Sequence, residues 1–148
     1  MILPDGRPLA RVPREMTERK PKHGQPCNRC GLCCTATLCV LAQHIFKRSV
    51  TPGPCPALIK SEIPGEYGCG VARYPSVYAK KLWPDIQLDD TSTKALGKAA
   101  LLLVFAGQGC DMRFNGERPD PAFNRKMDRF DRKNEASIAH AKKLWGLA

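Results

Sequence analysis

Apolar positions recur at helical spacing in three stretches of the chain. From Thr91 to Ala106, Leu96, Ala99, Ala100, Leu103 and Val104 repeat at intervals of three and four, and Leu101 and Leu102 widen the apolar face. The spacing predicts a central core helix there, with Asp90 or Thr91 at its N-cap and Gly107 ending it. A second helix is predicted from Pro121, because Asp120 supplies a cap and proline suits the first helical position. Phe123, Met127, Phe130, Ile138 and Trp145 mark one side of it. Its other side mixes signs in Arg125, Lys126, Asp128, Arg129, Asp131, Arg132, Lys133 and Glu135, which is the composition of a solvated face. Between Thr35 and Lys47, Leu38, Leu41, Ala42, Ile45 and Phe46 predict a shorter helix.

Elsewhere the pattern breaks. In Thr51-Pro52-Gly53-Pro54-Cys55-Pro56 three prolines remove backbone donors and fix φ, which excludes helix and central strand. Ile63-Pro64-Gly65-Glu66-Tyr67-Gly68 reads as a turn leading into a short strand or loop at Cys69. Residues 1–26 lack sustained periodicity and combine prolines with Arg7, Arg11, Arg14, Arg19, Lys20 and Lys22, so they are expected to form a basic, partly extended arm. The organisation expected is a basic arm over 1–26, a cysteine module over 27–90, and two helices over 91–148 that pack on or extend the module. With 148 residues, 13 prolines and 12 glycines, the fold class expected is mainly α, with a loop-rich, metal-stapled cysteine module and little strand.

The eight cysteines decide the chemistry. The start, Met1 to Arg7, has no cationic segment followed by an apolar stretch, and the apolar run Ala99 to Ala106 is far too short to cross a bilayer. The expectation is a cytoplasmic, reducing setting with no membrane association, where clustered cysteines point to metal rather than disulfide. The decisive segment is Cys27-Asn28-Arg29-Cys30-Gly31-Leu32-Cys33-Cys34, followed by Cys39, Cys55 and Cys69, with Cys110 further on. Two cysteines separated by two residues point their sulfurs inward from a short loop, and here the spacing is used twice in tandem. Cys27, Cys30 and Cys33 with the distant Cys55-Pro56 resemble the ligand pattern of bacterial-type ferredoxins. These four form the first expected site.

Adjacent side chains diverge by about 100° in a helix, so Cys34 is expected to point to a second metal, with Cys39, Cys69 or Cys110 completing it. Eight cysteines fill two four-cysteine zinc sites, or one iron–sulfur cluster with spare thiols, and the spacing leaves both open. His44, five residues after Cys39, is a weaker candidate nitrogen ligand. Asp111, Arg113 and Glu117 flank Cys110 as candidate partners of a ligand rather than catalysts. His23 and His140 look unrelated to the site, and Trp83 and Trp145 are expected to pack. No dinucleotide fingerprint, phosphate-binding loop, Ser/His/Asp set or spaced pair of carboxylates offers competing chemistry.

The tandem Cys27-x-x-Cys30-Gly31-x-Cys33-Cys34, with Pro54-Cys55-Pro56-Ala57-Leu58 and Tyr67-Gly68-Cys69-Gly70-Val71, resembles the bacterial YkgJ-type cysteine-cluster proteins, described as zinc- or iron-chelating domains. The resemblance covers roughly residues 25–80 and implies metal ligation by Cys27, Cys30, Cys33, Cys34, Cys55 and Cys69. That family continues with an Arg-Pro-x-x-Cys element, whereas this chain reads Arg73-Tyr74-Pro75-Ser76-Val77-Tyr78. Cys110 and the nearer Cys39 are the replacements for the missing ligand.

Charge adds a partner question. The formal charge of +10 falls to about +6 if eight thiolates hold two zinc ions, since bound cysteines are deprotonated. The chain stays basic. The function expected is a non-catalytic structural or docking module, with a protein partner or larger assembly engaged through the arm. The alternatives are an iron–sulfur redox or electron-transfer protein and a nucleic-acid-associated zinc protein, the latter resting on charge alone. Catalysis would require an open coordination position on the metal.

Overall fold

In the computed structural model, residues 14–36, 38–48, 54–104, 106–110, 112–113 and 116–147 are described. Arg7 and Arg11 of the arm, Thr51, Pro52 and Gly53 of the proline-rich segment, and Asp111 lie outside them. Helices take 54% of the described residues and strands 5%, so the protein is mainly α.

The core forms around the helix predicted near Thr91. This helix, α6 after the five that precede it, runs Asp90–Leu103. Its cap is Asp89, one residue earlier than expected, whose carboxylate accepts the Ser92 N–H at 2.7 Å. That bond holds the Asp89 carboxyl below its ordinary pKa. Leu96, Ala99 and Ala100 are buried, while Leu101 stays 46% exposed. Helix α8, Glu135–Leu144, carries Ala141 into the same core and delivers Trp145 just beyond its end. Trp145 is fully buried, stacks on Trp83 with ring centroids 6.5 Å apart, and donates its indole N–H to the Leu96 carbonyl at 3.0 Å. Both tryptophans pack, as expected.

Helix α7, Pro121–Lys133, begins as predicted, with the Asp120 carboxylate accepting N–H groups of Ala122 at 3.0 Å and Phe123 at 3.4 Å. The predicted second helix breaks once. Asn134 turns its side-chain amide back to the Phe130 carbonyl at 2.9 Å and separates α7 from α8.

The helix predicted over Thr35–Lys47 is two helices. Helix α2 is Leu32–Ala36 and α3 is Val40–Phe46. Cys39 lies between them in extended conformation, and its sulfur caps α3 by accepting the Ala42 N–H at 3.4 Å. Leu41 and Ile45 of α3 join the core. Strands β1 (Leu58–Lys60) and β2 (Tyr67–Cys69) form an antiparallel pair in which Leu58 faces Cys69. Two helices that the spacing did not mark follow directly, α4 (Gly70–Arg73) and α5 (Pro75–Leu82). Both pack on α6; a Cβ on Gly97 of α6 would lie 2.9 Å from the Ala72 carbonyl.

A second, smaller apolar cluster joins Met16, Cys30 and Leu32, with Tyr67 and Met112 against them. Met16 belongs to helix α1, Arg14–Arg19, so this part of the predicted arm is a helix with a buried anchor.

Candidate metal centre

The turn between Cys27 and Cys30 is built by its two middle residues. Asn28 accepts the Cys30 N–H at 3.1 Å and donates its amide to the Arg19 carbonyl at 2.6 Å. Arg29 adopts φ 61°, a left-handed conformation that costs a non-glycine residue energy and is held here by pairing. Its carbonyl accepts the Tyr67 N–H at 2.9 Å, and its Nε donates to the Tyr67 carbonyl at 2.9 Å. The cysteine turn is thereby docked on β2, two residues from Cys69. Cys55 arrives from the other direction. Its N–H bonds the Cys34 carbonyl at 2.7 Å, while the Gly70 N–H bonds the Ala57 carbonyl at 2.7 Å. Segments far apart in sequence are thus joined through backbone groups that lie beside cysteines.

The sulfurs themselves receive backbone N–H groups in a repeating way. Arg29 donates to Cys27 at 3.3 Å and Ala42 to Cys39 at 3.4 Å. The N–H of Leu32 points to Cys30, that of Ala57 to Cys55, and those of Ala72 and Val71 to Cys69. In each case the donor lies two or three residues after the cysteine. Such bonds favour thiolate over thiol, and hydrogen bonds to sulfur are a standard means of tuning metal-bound cysteines.

Burial works the other way in the metal-free protein. It pushes the thiols of Cys30, Cys55 and Cys69 above their ordinary value, against the N–H groups that lower them. For Cys34 the hydrogen bond with the Cys33 sulfur is the largest cause, followed by burial, and both raise it strongly. The two adjacent sulfurs therefore meet, where helical geometry predicted divergence. Burial also raises Tyr78, which faces Cys55 and Cys69.

The charges that each thiol feels define its neighbours. Cys30 is next to Cys33 and Cys27. Cys55 is next to Cys39 and Cys69, Cys69 to Cys39 and Cys33, and Cys34 to Cys33, Cys55 and Cys39. Cys39 thus recurs as a neighbour of Cys34, Cys55 and Cys69, and Cys33 as a neighbour of Cys30, Cys34 and Cys69. No disulfide joins any of the eight cysteines. Among the described residues, no three Cys, His, Asp or Glu side chains are positioned to hold a metal ion.

Cys110 comes from the long connection between α6 and α7, which is fastened to the segment leading into Cys27. The Cys110 N–H bonds the Gln25 carbonyl at 2.8 Å, and its carbonyl accepts the Gly24 N–H at 2.7 Å. The Lys20 ammonium, its side chain 1% exposed, pairs with Glu117 at 2.8 Å and also exerts a charge on Cys30. His23 is buried, accepts the Asp120 N–H at Nδ1 at 2.9 Å, and meets Phe123 edge-on. The spacing missed this fastening, since its members belong to no common period. Glu117 and His23 act here as structural ties. His44 lies elsewhere, against Gly146 beside Trp83, and His140 is exposed on α8.

A groove of about 500 Å³ runs beside Cys69, bordered by the cations Arg29, Lys60 and Arg73, with Tyr74 and Leu101 contributing apolar surface. No described helix is long and apolar enough to cross a membrane. No protein-family model, curated protein or solved structure matches the chain, so the functional reading stands on the residues themselves.

Proposed function

We propose that the cysteine segment is a thiolate metal centre whose bound metal fixes a small helical protein acting as a structural or docking module. The observation that carries this reading is the repeated aiming of backbone N–H groups at the sulfurs of Cys27, Cys30, Cys39, Cys55 and Cys69. Such donors favour thiolate over thiol, and thiolate is the form in which cysteine binds metal. The donor set fits a soft or borderline cation such as zinc, or an iron–sulfur core. Binding would close the sulfurs from their present positions; a cysteine turned between staggered χ1 wells carries its sulfur by roughly 3 Å.

A structural role follows from what the cysteines touch. Cys30 belongs to the smaller apolar cluster, while Cys55 and Cys69 pack against the larger one. Metal at this junction would tie the two together, and its binding free energy would become folding free energy.

The test is metal and sulfide analysis of protein purified without oxygen, followed by circular dichroism with a strong chelator. Stoichiometric zinc and a lowered unfolding temperature after chelation are expected. Iron with acid-labile sulfide would move the reading to redox chemistry. Protein that purifies without metal, takes none up, and unfolds identically with chelator would end it.

A further inference from the structure

We infer that the outward face of α7 is a docking surface for the phosphate backbone of duplex DNA, engaged through Arg125, Lys126, Arg129, Arg132 and Lys133. This goes beyond the metal reading above and does not rest on it.

The signs that mix along the sequence separate on the helix. Successive residues of α7 advance by about 100°. At that pitch its five cations fall within one arc of about 120°, whose only other member is Ala122. Asp128 and Asp131 fall outside the arc, on the flank beyond Arg132. Phe123, Met127 and Phe130 take the other side. Phe123 is buried edge-on against His23, Met127 and Phe130 are half-buried, and α7 packs against α8. Packing of the apolar side therefore turns the cations toward solvent, and all five are exposed.

Their charge is left unanswered. None of the five lies within ion-pairing distance of a carboxylate among the described residues. Asp128 and Arg132 have the i, i+4 spacing by which a solvated helix usually pairs its charges, yet they do not pair. Lys126 bonds the Gln108 carbonyl at 3.0 Å, which positions its ammonium and leaves the charge intact. From Arg125 to Lys133 the row extends about 12 Å along the helix axis. Cations held together at this density repel one another and favour a polyanion.

The composition of the arc selects the polyanion. Protein interfaces centre on aromatic and apolar residues with few charges, and the arc has no apolar side chain larger than alanine. A membrane-surface helix inserts its apolar side, which in α7 is turned inward. Single strands bind through stacked aromatic rings, and the arc has none. Duplex RNA is bound through its 2′-hydroxyls as well as its phosphates; a hydroxyl proton needs an acceptor, and these side chains only donate. Three arginines supply forks that match phosphate oxygens. Duplex DNA carries a phosphate about every 1.7 Å of its axis, so about seven lie along the row.

Fluorescence anisotropy tests this with the full chain as purified and a labelled, mixed-sequence DNA duplex of about two helical turns. Five phosphate contacts predict a slope of log affinity on log salt of about −4.5, or about 500-fold weaker binding at 200 mM salt than at 50 mM. The triple variant Arg125→Gln, Arg129→Gln, Arg132→Gln retains two contacts, so its slope should be about −1.8 and its loss only about 12-fold. A matched triple, Lys80→Gln, Lys94→Gln, Lys98→Gln, removes the same charge from exposed positions of α5 and α6 and should keep the wild-type slope. Glutamine forms helix about as well as the residues it replaces, so both triples should show wild-type helical content by circular dichroism. No duplex binding by wild type at 50 mM salt overturns the inference. So does an unchanged slope in the α7 triple, or an equal loss in the matched triple, which would assign binding to net charge. Tighter binding of an RNA duplex of the same length, or of a glutamate polymer of equal charge, overturns the choice of DNA. Metal enters none of these measurements, so their failure leaves the cysteine reading intact.

Discussion

Replacing Gly31 by alanine tests how tightly the cysteine turn is seated on β2. Gly31 follows Cys30 at φ 79°, and a Cβ there would lie 2.9 Å from Cγ and Cδ2 of Tyr67 and 3.1 Å from its Cβ. Tyr67 has little freedom to withdraw, because Arg29 bonds both its N–H and its carbonyl, and its ring packs against the Met16, Cys30 and Leu32 cluster. Two costs therefore combine. The left-handed conformation costs a residue with a Cβ about 1–2 kcal/mol, and crowding a packed ring adds about 1–3 kcal/mol. Gly107 provides the control. It has φ 80° and nothing within 4 Å of the corresponding Cβ position, so Gly107→Ala bears only the conformational cost. Urea unfolding of the metal-free proteins, extrapolated linearly to water, gives both losses on one scale. Gly31→Ala is expected to lose more stability than Gly107→Ala, and to weaken metal uptake where Gly107→Ala does not. Losses agreeing within about 0.5 kcal/mol, the scatter of uninvolved sites, would show that Tyr67 is not seated against the turn and that the docking argument is wrong.

Trp145→Ala should lose roughly 3–5 kcal/mol as a fully buried aromatic, whereas Trp145→Phe keeps the stack on Trp83 and loses at least the indole bond to Leu96, worth about 1 kcal/mol. Equal urea midpoints for Trp145→Phe and wild type would refute the packing described. Glu117→Gln removes the carboxylate facing the buried Lys20 ammonium and should cost about 3 kcal/mol, the low end for buried pairs because Glu117 is partly exposed. The double variant Lys20→Met, Glu117→Leu should recover much of that loss, and no recovery in urea melts would count against the pair. Raised thiol pKa values give the metal-free protein a pH dependence. Because the folded state of Cys30, Cys34, Cys55 and Cys69 favours the protonated thiol, their contribution is complete below the ordinary value of 9.0 and lost as pH rises through the higher folded values. Stability of the metal-free form should fall above that pH, less steeply in Cys34→Ser, while metal affinity rises from acid to neutral pH as protons compete less.

What the pattern of residues revealed depended on whether the determining contacts were local. Helices α6 and α7 were legible because each shows an apolar period and a carboxylate at its start, and both signals lie within the helix and its cap. Helix α5 shows an apolar period in Pro75, Ala79 and Leu82, but it has no capping carboxylate and only eight residues in which to show the period. The division of α2 from α3 was hidden for a different reason. Cys39 caps α3 through sulfur, and cysteine is not among the residues by which caps are recognised. The apolar period therefore seemed to run through a residue that in fact interrupts it.

The same limit shaped the site. The tandem spacing of Cys27, Cys30 and Cys33 is local, and it marked these residues for metal without any tertiary knowledge. Where the distant cysteines lie is decided by contacts with no period. Cys55 is drawn to Cys34 by one backbone hydrogen bond, and Cys69 is placed by strand register. Cys110 is placed by Gly24 and Gln25, residues that looked like part of a separable arm. That arm is not separable over its described length. Met16, Lys20, His23 and Gly24 each hold something belonging to the cysteine turn or to the connection that carries Cys110. Basic residues that suggested an external partner thus include one, Lys20, whose charge is answered inside the protein. Net positive charge is accordingly a poorer guide to a partner here than composition implies, because on the reading proposed part of it balances thiolates counted as neutral.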